Sequence, residues 1–442
     1  MAAQDVDMGM DSATASAWAA LGGPADLVGG VEYVPARGVL PSRLPVREMA
    51  RATVGVCSLA AAELLARRNG GPVPAVRVSE AAVGTAFVSE RHLRIDGRAP
   101  TVFAPLSGFW RAADGWVRTH ANYPHHRARL LAALGIREDA ELADALAAHP
   151  AEWVQEAVYA AGGLAVAVGS TNTAHPLVET RDLGGGGRVF PQAVLPAAGV
   201  RVLDLTRVIA GPVATRTLGL LGADVLRVDP PRLAESADTH ADSGLGKRST
   251  LLDLAVFEDR RVFDGLLDEA DVVVTGYRPG SLDRFGLAPE ALLERRPGLV
   301  VAQLCAWGWN GPWAGRRGFD SLVQAACGIA VIEGDDRPGA LPAQALDHGT
   351  GYLIAAAVLR ALTEGGGRHV RFSLAGTASW LVDDVRPVPE EGPAYEAEPW
   401  VAEFDSPYGS LRHALSPIGY VGGPADWVGP PSSWGTDAPR WS

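Results

Sequence analysis

The stretch "VRVLDLTRVIAGPVATRTLGLLGADVLRVD" (200–229) decides the fold. Its first seven residues are mostly apolar, with β-branched side chains among them, and read as a buried strand. "RVIAGP" turns, Pro212 suits a first helical position, "VATRTLGLL" continues the helix, and Gly222 ends it. "ADVLRVD" is a second strand. Two apolar strands joined by a helix predict a parallel βαβ unit.

Working outward, the alternation repeats. "KRSTLLDL", "DVVVTGY" (271–277), "LVVAQLCA" (299–306) and "HVRFSL" read as strands. "FEDRRVFDGLLDEA", "PEALLERRPG", "FDSLVQAACG" and a segment near 348–363 read as helices. The pattern predicts an α/β chain whose large domain, 200–385, is a doubly wound, mostly parallel, Rossmann-like sheet. Residues 96–183 read as a smaller α+β domain, 184–199 as a linker, and 386–442 as an irregular tail rich in Pro, Gly and Trp.

An internal echo accounts for the start. With a shift of 294, "TVGVCSLAAAELLARRNGGPVPAVRVSEAA" (53–82) lies without a gap on "DHGTGYLIAAAVLRALTEGGGRHVRFSLAG" (347–376). Gly55 meets Gly349, Leu59 meets Leu353, and "VRVS" meets "VRFS". Residues 1–95 therefore read as a partial, degenerate copy of the large domain's end, with Thr53 where the second copy has Asp347.

Composition excludes several classes. A net charge of −12 argues against nucleic acid as the main partner. Cys57, Cys305 and Cys327 form no close pair, so neither a disulfide framework nor a thiolate zinc site is implied. The acidic start lacks a basic leader, and no apolar run of about 18 residues stands out, so a cytoplasmic chain with a partly disordered start and no membrane span is expected. The first βα turn has no GxGxxG, so the usual dinucleotide fingerprint is absent. His120, His125 and His126 cluster in "HANYPHHR" without an acid or thiol at ligand spacing, which favours a cleft or interface role beside Tyr123 over a metal site.

"VRVLDLTRVIAGPVATRTLGLLGADVLRVDPP", "GKRSTLLDL", "VVVTGYRPGSLDRFGL", "GFDSLVQAACG" and "LDHGTGYLIAAAVLRAL" together resemble the class III CoA-transferases, the formyl-CoA and carnitine CoA-transferase type. "DGWVRTHANYPHHRARLLAALG" is similar to the start of that family's small domain. The order is permuted, because small-domain sequence precedes the large domain.

The resemblance implies coenzyme A as substrate, transfer between an acyl-CoA and a carboxylic acid, no metal, and a homodimer of the family's interlocked kind. It implies Asp347 as the nucleophile, a position that by itself reads most simply as a helix N-cap. It puts the backbone of Ile209 and Ala210 at an oxyanion. It puts Val208, Lys247, Arg248, Tyr277 and Arg284 along CoA, and Phe319, Asp320 and Gly349 at the substrate pocket. For Lys247, Arg248 and Arg284 a solvated charge or salt bridge is the plain alternative, and for Asp320 a helix cap. Related α-methylacyl-CoA racemases use a histidine where Phe319 stands, and phenylalanine moves no proton. A catalytically silent CoA-binding protein, or one subunit of a hetero-oligomer, is the other reading.

Overall fold

A computed structural model describes residues 11–101, 103–169, 174–182 and 185–442. Seven strands form the large sheet: Glu179–Asp182 (β1), Arg201–Leu205 (β2), Asp224–Asp229 (β3), Arg248–Leu251 (β4), Val272–Thr275 (β5), Val300–Cys305 (β6) and Arg368–Ser373 (β7). Their order is β4-β3-β2-β5-β6-β7-β1, parallel throughout except that β1 runs antiparallel to β7. The chain winds outward from β2 to β4, then crosses back to lay β5 on the other side of β2. The C-terminal ends of β2 and β5 part at this switch point, where open α/β sheets hold their ligands.

Alternation along the strands feeds two cores. Val202, Val225, Val272, Val274 and Val300 enter one, and Leu203, Leu226, Val228, Val273 and Val301 the other. Helices Phe257–Glu269 and Pro289–Arg295 cover the second face. Helices Val46–Asn69 (α1), Ala210–Leu220 (α2) and Ala345–Thr363 (α4) cover the first, together with the short Asp320–Ala326 (α3). α4 packs between α1 and α2. It crosses α2 closely at Gly351, where a Cβ would come within 2.6 Å of the Ala210 carbonyl oxygen.

Several expectations need correction. Residues 1–10 of the supposed disordered start, and the boundary at 183/184, lie outside the described residues, but Ser12–Ala20 is a capped helix. α1 is long and apolar enough to cross a membrane, contrary to the reading of its sequence, yet it is almost wholly buried. It also carries charges paired within the protein: Arg51 with Glu80 at 2.7 Å and Glu63 with Arg360 at 2.5 Å. Glu179–Asp182 is the edge strand of the large sheet rather than part of the small domain. Pro212 is the third residue of α2, not its first.

The tail is less irregular than its composition suggests. Val401–Ser406 and Gly409–Ala414 form a hairpin that pairs with Arg94–Ile95. Beyond it the Gly435 amide donates to the Ser249 hydroxyl at 2.9 Å, and the Asp437 amide to the Ser249 carbonyl at 2.8 Å. The Ser249 amide in turn donates to the Asp437 carboxylate at 2.7 Å, so the tail occupies both backbone groups that Ser249 would otherwise expose at the edge of the sheet.

The small domain folds around its own core of Leu130, Leu142, Leu146, Val154 and Val158. Its sheet comprises Phe109–Arg111, Trp116–Thr119 and Ala165–Ala167. The turn from its middle strand into helix Pro124–Leu134 hangs over the switch point of the large sheet.

Candidate active site

Asp347 is the third residue of α4, so it lies inside the first turn and does not cap it. The residue before the helix, Gln344, makes no side-chain cap either. Asp320 supplies the missing acceptor from another element. Its carboxylate takes the Asp347 amide at 2.9 Å and is held from behind by the Gln324 amide. Asp320 is therefore a cap, but of α4, and not of the helix it begins. It is wholly buried and lines neither of the cavities at Asp347.

This arrangement leaves the Asp347 carboxylate free. Among the described residues it makes no hydrogen bond, although it is 7% exposed. Burial, and secondarily the Asp320 charge, raise its pKa well above the ordinary carboxylate range. Burial pushes Asp320 up to about 6.

Two cavities meet at Asp347, of about 550 and 570 Å3. Tyr123, Val208, Phe319 and Asp347 line both. The larger is the cationic one, with Arg129, Arg207, Arg232, Arg278, Arg316 and Arg317 in its wall. Arg207, Arg232 and Arg316 are paired with Asp229, Asp253 and Glu156. Arg129, Arg278 and Arg317 have no carboxylate partner among the described residues, and burial with the charges of Arg278 and Arg129 lowers the Arg317 pKa. Guanidinium groups in this condition suit phosphate oxygens. Tyr277 lines the same cavity, its hydroxyl pushed up to about 12 by burial. The other cavity presents Leu93, Phe103, Ile209 and Val213, with Arg216 tied to Asp242 at 3.3 Å.

The wall between the cavities is the turn after β2. Val208 has φ +72°, a left-handed backbone that a β-branched residue adopts only under constraint. The constraint is visible beneath it. Asp204 accepts from the Thr206 amide at 2.9 Å, from the Thr215 hydroxyl at 2.6 Å and from Lys247 Nζ at 3.1 Å. Lys247 also donates to the Pro212 carbonyl at 2.9 Å. Gly211 packs so close to Thr206 that a Cβ would meet its side chain at 2.3 Å. The turn ends at the start of α2, whose first amides have no intrahelical acceptor. Ile209 faces one cavity and Ala210 the other.

Of the residues singled out from sequence, Asp347, Val208, Ile209, Ala210, Tyr277 and Phe319 converge here. The others do not. Lys247 is a buried ion pair supporting the turn, its pKa lowered to about 8 by burial, and cannot reach a ligand in either cavity. Arg248 binds Asp224 at 2.6 Å, away from both cavities. Arg284 lies over the Phe285 ring at 4.6 Å and lines neither cavity. Gly349 faces α1, where a Cβ would sit 3.5 Å from Met49 and 3.7 Å from Thr53. Trp307, Trp309 and Trp313 are packed loop aromatics, with Trp307 Nε1 donating to the Arg317 carbonyl at 2.9 Å.

The sequence reading noted Arg232 beyond the second strand but missed Arg129, Arg207, Arg278, Arg316 and Arg317. Arg278 stands one residue after Tyr277, and Arg316 and Arg317 open "RRGFD", which ends on Asp320, so a basic pair abutting a site motif was the available signal. The histidines enter from the small domain. The His120 ring stacks on Phe319 at 3.9 Å, and burial pushes His120 and His126 down to about 3.

The segment from 197 to 387 matches the family model described as CoA-transferase family III. The matched segment contains Asp347, the Val208 turn and five of the six arginines of the cationic cavity, while Tyr123 and Arg129 come from outside it.

The chain is similar to the acetyl-coenzyme A transferase nodX of Hypoxylon pulicicidum, 34% identical over 239 residues, covering 50% of this chain and 39% of nodX. It is 32% identical over 215 residues to the succinate–glutarate CoA-transferase of Agrobacterium fabrum, covering 43% and 54% respectively. A crystal structure of Rv3272 from Mycobacterium tuberculosis aligns with 35% identity and a TM-score of 0.40, covering 42% of this chain and 56% of that one. The chain therefore spans roughly two fifths to just over half the length of the relatives it matches.

Proposed function

We propose that the protein moves coenzyme A from an acyl-CoA thioester to a carboxylic acid, with Asp347 as the covalent relay. The observation that carries this reading is the position of Asp347. Its carboxylate has no hydrogen-bond partner among the described residues and lies where a cationic and a largely apolar cavity meet. CoA would lie in the arginine-walled cavity, phosphates on Arg129, Arg278 and Arg317, and the acyl group in the other.

The steps balance without any proton transfer. A carboxylate oxygen of Asp347 attacks the thioester carbonyl, the C–S bond breaks, and CoA thiolate leaves a mixed anhydride. The thiolate attacks the Asp347 carbonyl and releases the first acid as its carboxylate. The acceptor carboxylate attacks the resulting aspartyl thioester, its C–S bond breaks to expel CoA thiolate again, and the second anhydride forms. Thiolate attack on its acyl carbonyl regenerates Asp347 and gives the new acyl-CoA. Amides at the start of α2 would face the oxyanion of each step.

Two features favour this reading over racemisation. Phe319 occupies the position beside Asp320, and the nearby His120 is too weak a base to take an α-proton, since burial holds it at about 3. Deuterium at the acyl α-carbon should survive incubation with the protein.

Segments on both sides of the permuted order line the cavities, which gives the reading a site assembled within one chain. A homodimer around such sites is part of the proposal, and light scattering tests it. The direct test of function is incubation with acyl-CoA and hydroxylamine. Asp347 should be recovered as its hydroxamate, and Asp347→Asn should give none. CoA binding with neither transfer nor modification would leave the silent CoA-binding reading in its place.

A further inference from the structure

The apolar cavity does not end at its far wall. It shares Glu90, Phe103 and Gln344 with a third cavity of about 370 Å3. Arg118, from the middle strand of the small domain, lines that cavity. Its guanidinium sits 5.2 Å from the Phe103 ring centre and 4.8 Å from that of Phe109. Among the described residues it makes no hydrogen bond and no ion pair, and its Nε is buried without a partner.

A half-buried guanidinium with no anion beside it is costly, and burial pushes its pKa down to about 10. Asp320 is the one carboxylate felt across the wall, and it is engaged with the Asp347 amide and Gln324. A second polar group in the same lining is also unsatisfied: Ser321 Oγ is buried without a partner. The remaining charges there are Glu90 and Arg91, 3.8 Å apart, so the lining has one cation in excess.

We propose that this third cavity is a subsite for a second carboxylate, so that the protein exchanges CoA onto dicarboxylic acids: one carboxylate reacts at Asp347 while the other meets Arg118 and Ser321. The inference rests on the transferase reading, and it assigns Arg118 as the residue that selects the acid. A monocarboxylic acid would leave the guanidinium unpaired and lose the difference.

The test is CoA transfer from acetyl-CoA to length-matched acceptors: butanoate against butanedioate, pentanoate against pentanedioate, hexanoate against hexanedioate. At the best length kcat/KM should favour the diacid by at least about 30-fold. That ratio should collapse toward one in Arg118→Met and be partly kept in Arg118→Lys. Equal or better use of the monoacid at every length would overturn the proposal, as would a ratio unchanged in Arg118→Met.

If no acceptor is used, the transferase reading fails by itself. The subsite is then judged by melting temperature. A diacid should raise that of the wild type and not that of Arg118→Met, and the absence of any shift would overturn it.

Discussion

The chain contains two helix–strand–helix units in one gapless register, and only one of them is built to react. α1, Val76–Ser79 and Glu80–Phe87 form the first, and α4, β7 and Leu374–Asp383 the second. Even the junctions agree: Ser79 caps its helix by accepting from Ala82, and Ser373 does the same with Gly376. The difference lies at the start of the long helix. α4 begins two residues before Asp347, so that residue sits in a first turn whose amides are taken by Asp320. α1 begins seven residues before Thr53, which is buried mid-helix with its hydroxyl donated to the Ala50 carbonyl at 2.9 Å. A site of this kind therefore needs a helix that starts at the switch point, and not merely an acid in the right column of an alignment.

The largest expected effect follows from that contrast. Asp347→Ala should lower transfer by at least about 10^4-fold, and adding Thr53→Asp should restore none of it. Recovered activity in the double variant would mean that the first unit can form a site. Thr53→Asp alone should destabilise the protein by about 3–5 kcal/mol, measured by urea unfolding, because it buries an unpaired charge.

The acid pair gives opposite signs for stability and rate. The Asp347 pKa is raised in the folded state, so the native protein holds its proton longer than the unfolded chain. The wild type therefore loses stability as pH rises from about 4 through the folded-state value. Asp347→Asn lacks that loss and should melt higher than the wild type at pH 7, with the gap closing toward pH 4. Transfer needs the carboxylate ionised. The acid limb of kcat/KM should thus lie above the ordinary carboxylate range, and a limb near pH 4 would contradict the burial argument.

The smallest effects compare the aligned glycines. Gly55→Ala drives a Cβ to 2.2 Å from the Tyr33 hydroxyl and should cost about 1–3 kcal/mol. Gly349→Ala meets only ordinary contacts and should gain up to about 1 kcal/mol from helix propensity. Both are read from melting curves.

The sheet was legible because its signal is local. Apolar strands with β-branched residues, glycine stops and the turn after β2 need no knowledge of what packs on them, and Asp347 was found by its family-like context. What was not legible depends on long-range partners. Lys247 and Arg248 look like phosphate ligands until Asp204 and Asp224 are seen beside them. Asp320 looks like a cap of its own helix until α4 is placed next to it. Arg118 carries no signal in the sequence, because what sets it apart is its place beside the Phe103 and Phe109 rings. The hairpin in the tail was obscured by proline- and glycine-rich flanks and by pairing with Arg94–Ile95, more than 300 residues earlier.

The central claim, that the carboxylate of Asp347 passes through two anhydrides, has one direct measurement. The protein is turned over with acyl-CoA and an acceptor acid labelled with heavy oxygen in both carboxylate positions, and the peptide bearing Asp347 is analysed by mass spectrometry. The account predicts that Asp347 acquires heavy oxygen from the acid in step with turnover. Transfer of CoA that leaves Asp347 unlabelled, or that labels a different residue, would contradict it.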